Sequence, residues 1–249
     1  MTLKVIPNEE KWTKTRYKNL LEQIDLVAPR FILEFGVWKG YTAVRMIKHA
    51  LQYRQDVHYF GIDTFQNITV EQAAYENHTK AMAQYKQTLK YLDSEIGQQR
   101  HSVVMGESKK MFRKIRRNFM KNIFYTKHCD LIFIDGGHSV ATILHDWLAA
   151  ESIMDDKTVV IFDDYYKDIT DVGAFHVIEY GVNRRLFDIE YLQPVDMFKT
   201  ADGRPQPTQM VKVTRKRNLA HEPEQSHGLD ESIFHNPYLQ ESSWDDDED

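Results

Sequence analysis

Two apolar runs in this 249-residue chain end in acid: Leu131 to Ile134 leads into Asp135-Gly136-Gly137-His138, and Val159 to Phe162 leads into Asp163-Asp164-Tyr165. In an open parallel sheet, ligands gather outside the carboxyl ends of the strands, so carboxylates at two such ends are candidate site residues. Neighbouring strands lie only ~5 Å apart, and carboxylates that close repel one another unless a cation or a proton lies between them. A divalent metal fits that need. Three carboxylate oxygens suit magnesium, whose octahedral shell leaves room for water and substrate oxygens, whereas zinc would want His or Cys. His138 follows Asp135 by three residues across a Gly-Gly turn, close enough to serve the same centre. An imidazole, with a reference pKa of about 6.5, can take up a proton near neutral pH. The alternative for His138 is an exposed residue just ahead of a helix capped by Ser139. Asp163 and Asp164 are adjacent, and in a continuing strand their side chains would point to opposite faces. Both can ligate only if the strand has ended and the backbone bends; otherwise one of them holds a backbone N–H in the loop.

These turns need strands behind them and helices between. Phe31 to Phe35, Val57 to Ile62, Ser102 to Met105, Leu131 to Ile134 and Val159 to Phe162 read as strands. Helical patterns fit around and between them at 10 to 28, Tyr41 to Tyr53, Val70 to Leu92, Lys109 to Met120 and Val140 to Met154. Near-continuous apolar strands separated by helices predict a parallel sheet covered on both faces. After Asp164 come a helix over Ala174 to Asn183 and strands at Leu186 to Leu192 and Thr208 to Val213. Their connection is short for a parallel crossover, so the last two strands form an antiparallel closing pair.

The other strand ends carry further candidates. The first ends Leu33-Glu34-Phe35-Gly36-Val37-Trp38-Lys39-Gly40 and opens a helix, a place where glycine permits a tight turn and free N–H groups face a ligand. A carboxylate such as Glu34 suits a cationic amine better than a pyrophosphate, and Trp38 stands where a dinucleotide fingerprint has its second glycine. A plain strand-to-helix turn is the other reading. Asp63, closing Phe60-Gly61-Ile62-Asp63, could accept both hydroxyls of a ribose or simply order its own turn. Gly106-Glu107-Ser108 ends the third strand, with Ser108 either facing an adenine or capping the next helix.

Taken in order, Leu33 to Gly40, Gly61-Ile62-Asp63, Gly106-Glu107-Ser108, Ile134 to Ser139 and Phe162 to Tyr165 resemble the motifs of class I S-adenosylmethionine-dependent methyltransferases. More narrowly, they are similar to the macrocin and mycinamicin sugar O-methyltransferase group, over roughly residues 30 to 215. The resemblance implies a doubly wound, Rossmann-like α/β fold with a seven-stranded sheet in the order 3-2-1-4-5-7-6, strand 7 antiparallel. It implies that Glu34 and Gly36 lie near the methionine part of the cofactor, Asp63 at its ribose, and Gly40, Thr42, Gly106, Glu107, Ser108 and Asp135 along the rest of it. It also implies that Asp135, Asp163 and Asp164 bind a divalent cation, usually magnesium, and that His138 is the general base. The expected reaction is methylation of a hydroxyl on a sugar or other small metabolite. Rival readings are an NAD-dependent oxidoreductase and a non-catalytic cofactor-binding or interaction protein.

Other features carry less. His145 and Asp146, inside the helix after His138, read as surface or packing residues, and the basic run Lys109 to Arg117 as a solvated helix face. Tyr165, Tyr166 and Phe175 are either acceptor-pocket or core aromatics; Tyr75, Tyr85 and Tyr91 are either a lid or helix packing. A net charge of -5 gives no reason to expect a nucleic-acid partner, and the lone Cys129 excludes an intrachain disulfide framework. With no membrane-length apolar run and no signal-like start, a cytoplasmic location is expected, with a homo-oligomer possible. Residues 1 to 217 are expected to form one domain, followed by a polar tail over 218 to 249 that ends in an acidic run.

Overall fold

A computed structural model describes residues 15–69, 71–72, 83–108, 110, 129–199 and 205–216. All but Lys110 of the helix expected at Lys109 to Met120, most of the first part of Val70 to Leu92, Tyr75 and the tail from 218 lie outside the described residues. The strands are β1 (Phe31–Phe35), β2 (His58–Asp63), β3 (His101–Met105), β4 (Leu131–Ile134), β5 (Val159–Tyr165), β6 (Phe187–Tyr191), β7 (Asp196–Lys199) and β8 (Pro205–Arg215). The helices are α1 (Arg16–Val27), α2 (Tyr41–Ala50), α3 (Tyr85–Ile96) and α4 (Val140–Glu151).

The sheet runs β3-β2-β1-β4-β5-β8-β6. Its first five strands are parallel, and β8 lies antiparallel between β5 and β6. This is the Rossmann-like order expected from the motifs, with one addition: the turn-prone stretch before the last strand contains β7, which pairs with the first half of a long β8. An eleven-residue β8 can serve β5 and β6 with one part and β7 with the other, a division that strand-sized apolar runs do not reveal.

Alternation along β1 sends Leu33 and Phe35 to one core, with α4 and Trp147, and Ile32 to the other, with α1, α2 and α3. Both faces of the parallel sheet are therefore covered, which is why its strands read as apolar throughout. Asp130 fixes where β1 begins, its Oδ2 accepting the N–H groups of Arg30 at 2.7 Å and Phe31 at 2.8 Å. α1 ends at Val27, where Ala28 takes a left-handed conformation (φ 46°) and its N–H closes on the Ile24 carbonyl. The late helix is present as a wide turn, a π-helix over Val177–Gly181 with Val182 N–H bonded to the Val177 carbonyl at 2.9 Å. Tyr85 and Tyr91 belong to helix packing: Tyr85 donates to the Val103 carbonyl at 2.9 Å, and Tyr91 meets Tyr41 edge-on. Among the described residues no helix is long and apolar enough to cross a membrane.

Ser139 caps α4 as expected, its Oγ accepting the Thr142 N–H at 3.2 Å. Ser139→Ala should cost about 1 kcal/mol. In a domain of this size that lowers the thermal midpoint by roughly 2–4 °C, readable by circular dichroism; an unchanged midpoint would show that the cap adds nothing here.

Candidate active site

β4 and β5 pair in register from Leu131↔Val159 to Ile134↔Phe162, so Asp135 and Asp163 emerge side by side. Asp164 joins them through a backbone irregularity. β5 does not end at Phe162, as the bend seemed to require; it continues to Tyr165, with a register shift against β8 between Phe162 and Tyr165. Asp164 sits at φ 54°, a left-handed conformation that Asp tolerates better than most residues. The kink turns both carboxylates the same way. Asp135, Asp163 and Asp164 each present an oxygen within 4.8 Å of the others. They line one small hollow with Ile134, Gly136, Gly137 and Ile143.

The cluster is not left to repel itself. Arg16, the first residue of α1, grips Asp163 through two hydrogen bonds, Nε to Oδ1 at 2.7 Å and Nη2 to Oδ2 at 3.0 Å. The same guanidinium lies 3.5 Å from Asp164 Oδ1 and 3.3 Å from Asp196 Oδ2. Tyr17 donates its hydroxyl to Asp163 Oδ2 at 2.9 Å and lies 3.5 Å from Asp135 Oδ2. Full burial and the neighbouring negative charge of Asp135 and Asp163 push the Tyr17 phenol well above its ordinary pKa, so it stays a donor. Tyr166 is likewise pushed up, by burial and by Asp164, to which it hydrogen-bonds.

His138 Nε2 is 3.1 Å from Asp164 Oδ2. The contact depends on the loop after β5 folding back: Gly173 N–H donates to the His138 carbonyl at 2.7 Å, Ala174 N–H to the Asp164 carbonyl at 3.0 Å, and Ser139 bridges Val172. Gly173 is required there, since a side chain would meet the Asp164 carbonyl at 2.5 Å with φ at +77°. Asp146 is buried, its Oδ2 beneath Gly136, which makes it a packing residue of this turn rather than a surface one.

The expected cofactor residues lie at the ends of β1, β2 and β3. Gly36 has φ +91°, and a Cβ there would sit 2.1 Å from the Asp135 carbonyl oxygen, so the β1 turn packs directly on the acidic turn. Asp63 orders its surroundings strongly: Oδ2 accepts Trp38 N–H and Oδ1 accepts Phe65 N–H, both at 2.6 Å. Trp38 and Phe65 are both left-handed, at φ 48° and 49°, and these charge-assisted bonds hold them so. Glu34 is fully buried, and its Oε2 accepts the Tyr59 hydroxyl. Gly61 gives that hydroxyl its room, since a Cβ there would come within 2.7 Å of it. Gly40 precedes α2 and Thr42 is buried in its first turn. Gly106 N–H closes the third turn on the Asp63 carbonyl at 2.8 Å, Glu107 pairs with Lys110 at 3.2 Å, and Ser108 is already in helical backbone.

Tyr165 and Phe175 are buried and packed together at 5.6 Å, so they are core, whereas Tyr166 reaches the acid cluster. Arg16, Tyr59 and Asp196 were not visible as site residues in the sequence. Arg16 stands beside an apolar helical stripe, where a solvated cation looks the same, and Asp196 reaches it only through the hairpin of β7 and β8.

Comparison with known proteins bears on the family and the fold. A family model described as a methyltransferase domain matches residues 33–165, which spans every one of the strand-end motifs and leaves out α1. An O-methyltransferase from Bacillus cereus, solved with S-adenosylhomocysteine, superposes with a TM-score of 0.57 at 15% identity, covering 81% of each chain. TomG from Streptomyces achromogenes, an O-methyltransferase of tomaymycin synthesis solved with S-adenosylmethionine, gives 0.53 at 15% identity over 80% of this chain and 79% of its own. A putative O-methyltransferase from Klebsiella pneumoniae gives 0.54 at 14% identity over 87% and 84%. No curated protein matches the sequence. At such identities the solved structures speak for the fold, while the family match covers more than half of the chain: it belongs to the methyltransferase-domain family, as a class I S-adenosylmethionine-dependent methyltransferase.

Proposed function

We propose that this methyltransferase acts on oxygen, moving the methyl group of S-adenosylmethionine to a hydroxyl of a sugar or other small metabolite with the help of magnesium. The observation that carries this reading is the union, beside the Gly36 turn, of three carboxylates within 4.8 Å of one another and a histidine 3.1 Å from one of them. The donor set is all hard oxygen, which fits magnesium, and the turn at Gly36 fits a ligand that must approach backbone. The O-methyltransferases among the solved neighbours add support to the choice of oxygen.

Methyl transfer is an in-line displacement, and a neutral hydroxyl is a poor nucleophile near pH 7. Magnesium held by carboxylates of this cluster, Asp135 and Asp164 among them, would supply Lewis acidity that lowers the acceptor's pKa. The chain's own residues do the rest. Asp164 orients His138, the ring nitrogen opposite Asp164 takes the hydroxyl proton, and Asp63 and the Gly36 turn hold the cofactor beside the acid cluster.

Ligand-dependent melting tests the reading. S-adenosylhomocysteine at about 100 times its dissociation constant stabilises by about 2.7 kcal/mol, which should raise the midpoint by roughly 5–10 °C. Asp63→Ala should remove most of that shift. Stabilisation by NAD with none from S-adenosylhomocysteine would sink the proposal, because the chain would then be a nicotinamide enzyme on a similar sheet.

A further inference from the structure

Resting on the metal-assisted reading, we infer that Arg16 divides the roles of the two adjacent aspartates: it keeps Asp163 as its own buried counter-ion and leaves Asp135 and Asp164 as the carboxylates that meet a divalent cation. Asp163 is committed on both oxygens, to Arg16 Nε at 2.7 Å, Arg16 Nη2 at 3.0 Å and the Tyr17 hydroxyl at 2.9 Å. Its side chain is 1% exposed, against 16% for Asp164. Asp164 touches the guanidinium only at 3.5 Å, the outer limit of a hydrogen bond. Its closer ionic partner is His138, whose Nε2 is 3.1 Å from Asp164 Oδ2.

The guanidinium is not a movable plug. Asp196 accepts the Thr15 N–H at 2.8 Å, the Thr15 hydroxyl at 2.6 Å and Arg16 Nη1 at 3.3 Å, so the start of α1 is fixed to β7 from 181 residues away. Withdrawing Arg16 would strand a charge in an environment where it is 5% exposed. A cation on a remaining lone pair of Asp163 would have to share that carboxylate with a fixed positive group. Arg16 is thus a positioning residue, and α1 is part of the site rather than an appendage to the sheet.

Binding of Mn2+ to the full chain, counted from the electron paramagnetic resonance signal of the free ion, tests the assignment without any turnover. Asp135→Asn and Asp164→Asn should each weaken Mn2+ binding at least tenfold. Asp163→Asn should leave it within threefold while lowering the melting midpoint, since Arg16 then lacks its counter-ion. If that variant does not fold, the double variant Arg16→Gln/Asp163→Asn removes both charges together and should keep Mn2+ affinity within the same limit. Loss of affinity in either of these as large as in Asp164→Asn would overturn the inference alone, making Asp163 a ligand. Failure of the unmodified chain to bind Mn2+ would overturn it together with the metal part of the proposed function, and S-adenosylhomocysteine binding would then report on the methyltransferase part separately.

Discussion

His138→Gln should lower kcat by about 10²–10⁴-fold, the usual contribution of a positioned general base, while S-adenosylhomocysteine affinity stays within a factor of two. Glutamine can still bond to Asp164, and it has no ring nitrogen that accepts a proton at neutral pH. The loss should therefore fall on turnover and not on cofactor binding. The turn itself should survive, because its backbone is held by Gly173 and by the Ser139 cap rather than by the imidazole. Steady-state kinetics with any accepted hydroxyl compound, alongside calorimetric titration of S-adenosylhomocysteine, reads both quantities. A kcat within threefold of the parent would remove His138 from proton transfer and return it to the role of an exposed residue before α4.

Gly36→Ala is expected to have the largest effect on stability and cofactor binding together. The new Cβ would stand 2.1 Å from the Asp135 carbonyl oxygen and 2.4 Å from the Gly136 Cα, both backbone atoms that cannot rotate away. Left-handed backbone at a residue with a side chain costs about 1–2 kcal/mol, and overpacking typically ~1–3 kcal/mol more. Roughly 2–5 kcal/mol in all corresponds to a midpoint lower by roughly 5–15 °C. Relief of the clash must push the β4 turn outward, and that turn carries Asp135 and His138, so S-adenosylhomocysteine and Mn2+ binding should both weaken. A midpoint within 1–2 °C of the parent, by calorimetry, would mean that the two turns are not packed as described.

Much of the fold was legible because the determining signals are local. Apolar runs such as Leu131 to Ile134 could only be buried strands, Ser139 sat where a cap belongs, and the short connection before the final strand forced an antiparallel pair. Signals that depend on distant partners were not. Nothing in the sequence near Pro205 shows that one long β8 serves three neighbours, or that a strand at Asp196–Lys199 would fill the preceding stretch.

The site divides in the same way. Residue types at strand ends determined by themselves which carboxylates and which histidine would gather, since a parallel sheet delivers all its carboxyl ends to one side. Whether adjacent Asp163 and Asp164 could act together was beyond the sequence, because it turns on a single left-handed residue inside a bulge, stabilised by the loop that folds back through Gly173. The neutralising charge was further still from view. Arg16 reaches Asp163 across 147 positions, and only the packing of α1 against the sheet brings a guanidinium to the place where repulsion between carboxylates demanded a cation. The sequence determined the need for positive charge; the tertiary structure decided that a side chain meets part of it, because only in three dimensions does the charge balance of a buried cluster have to close.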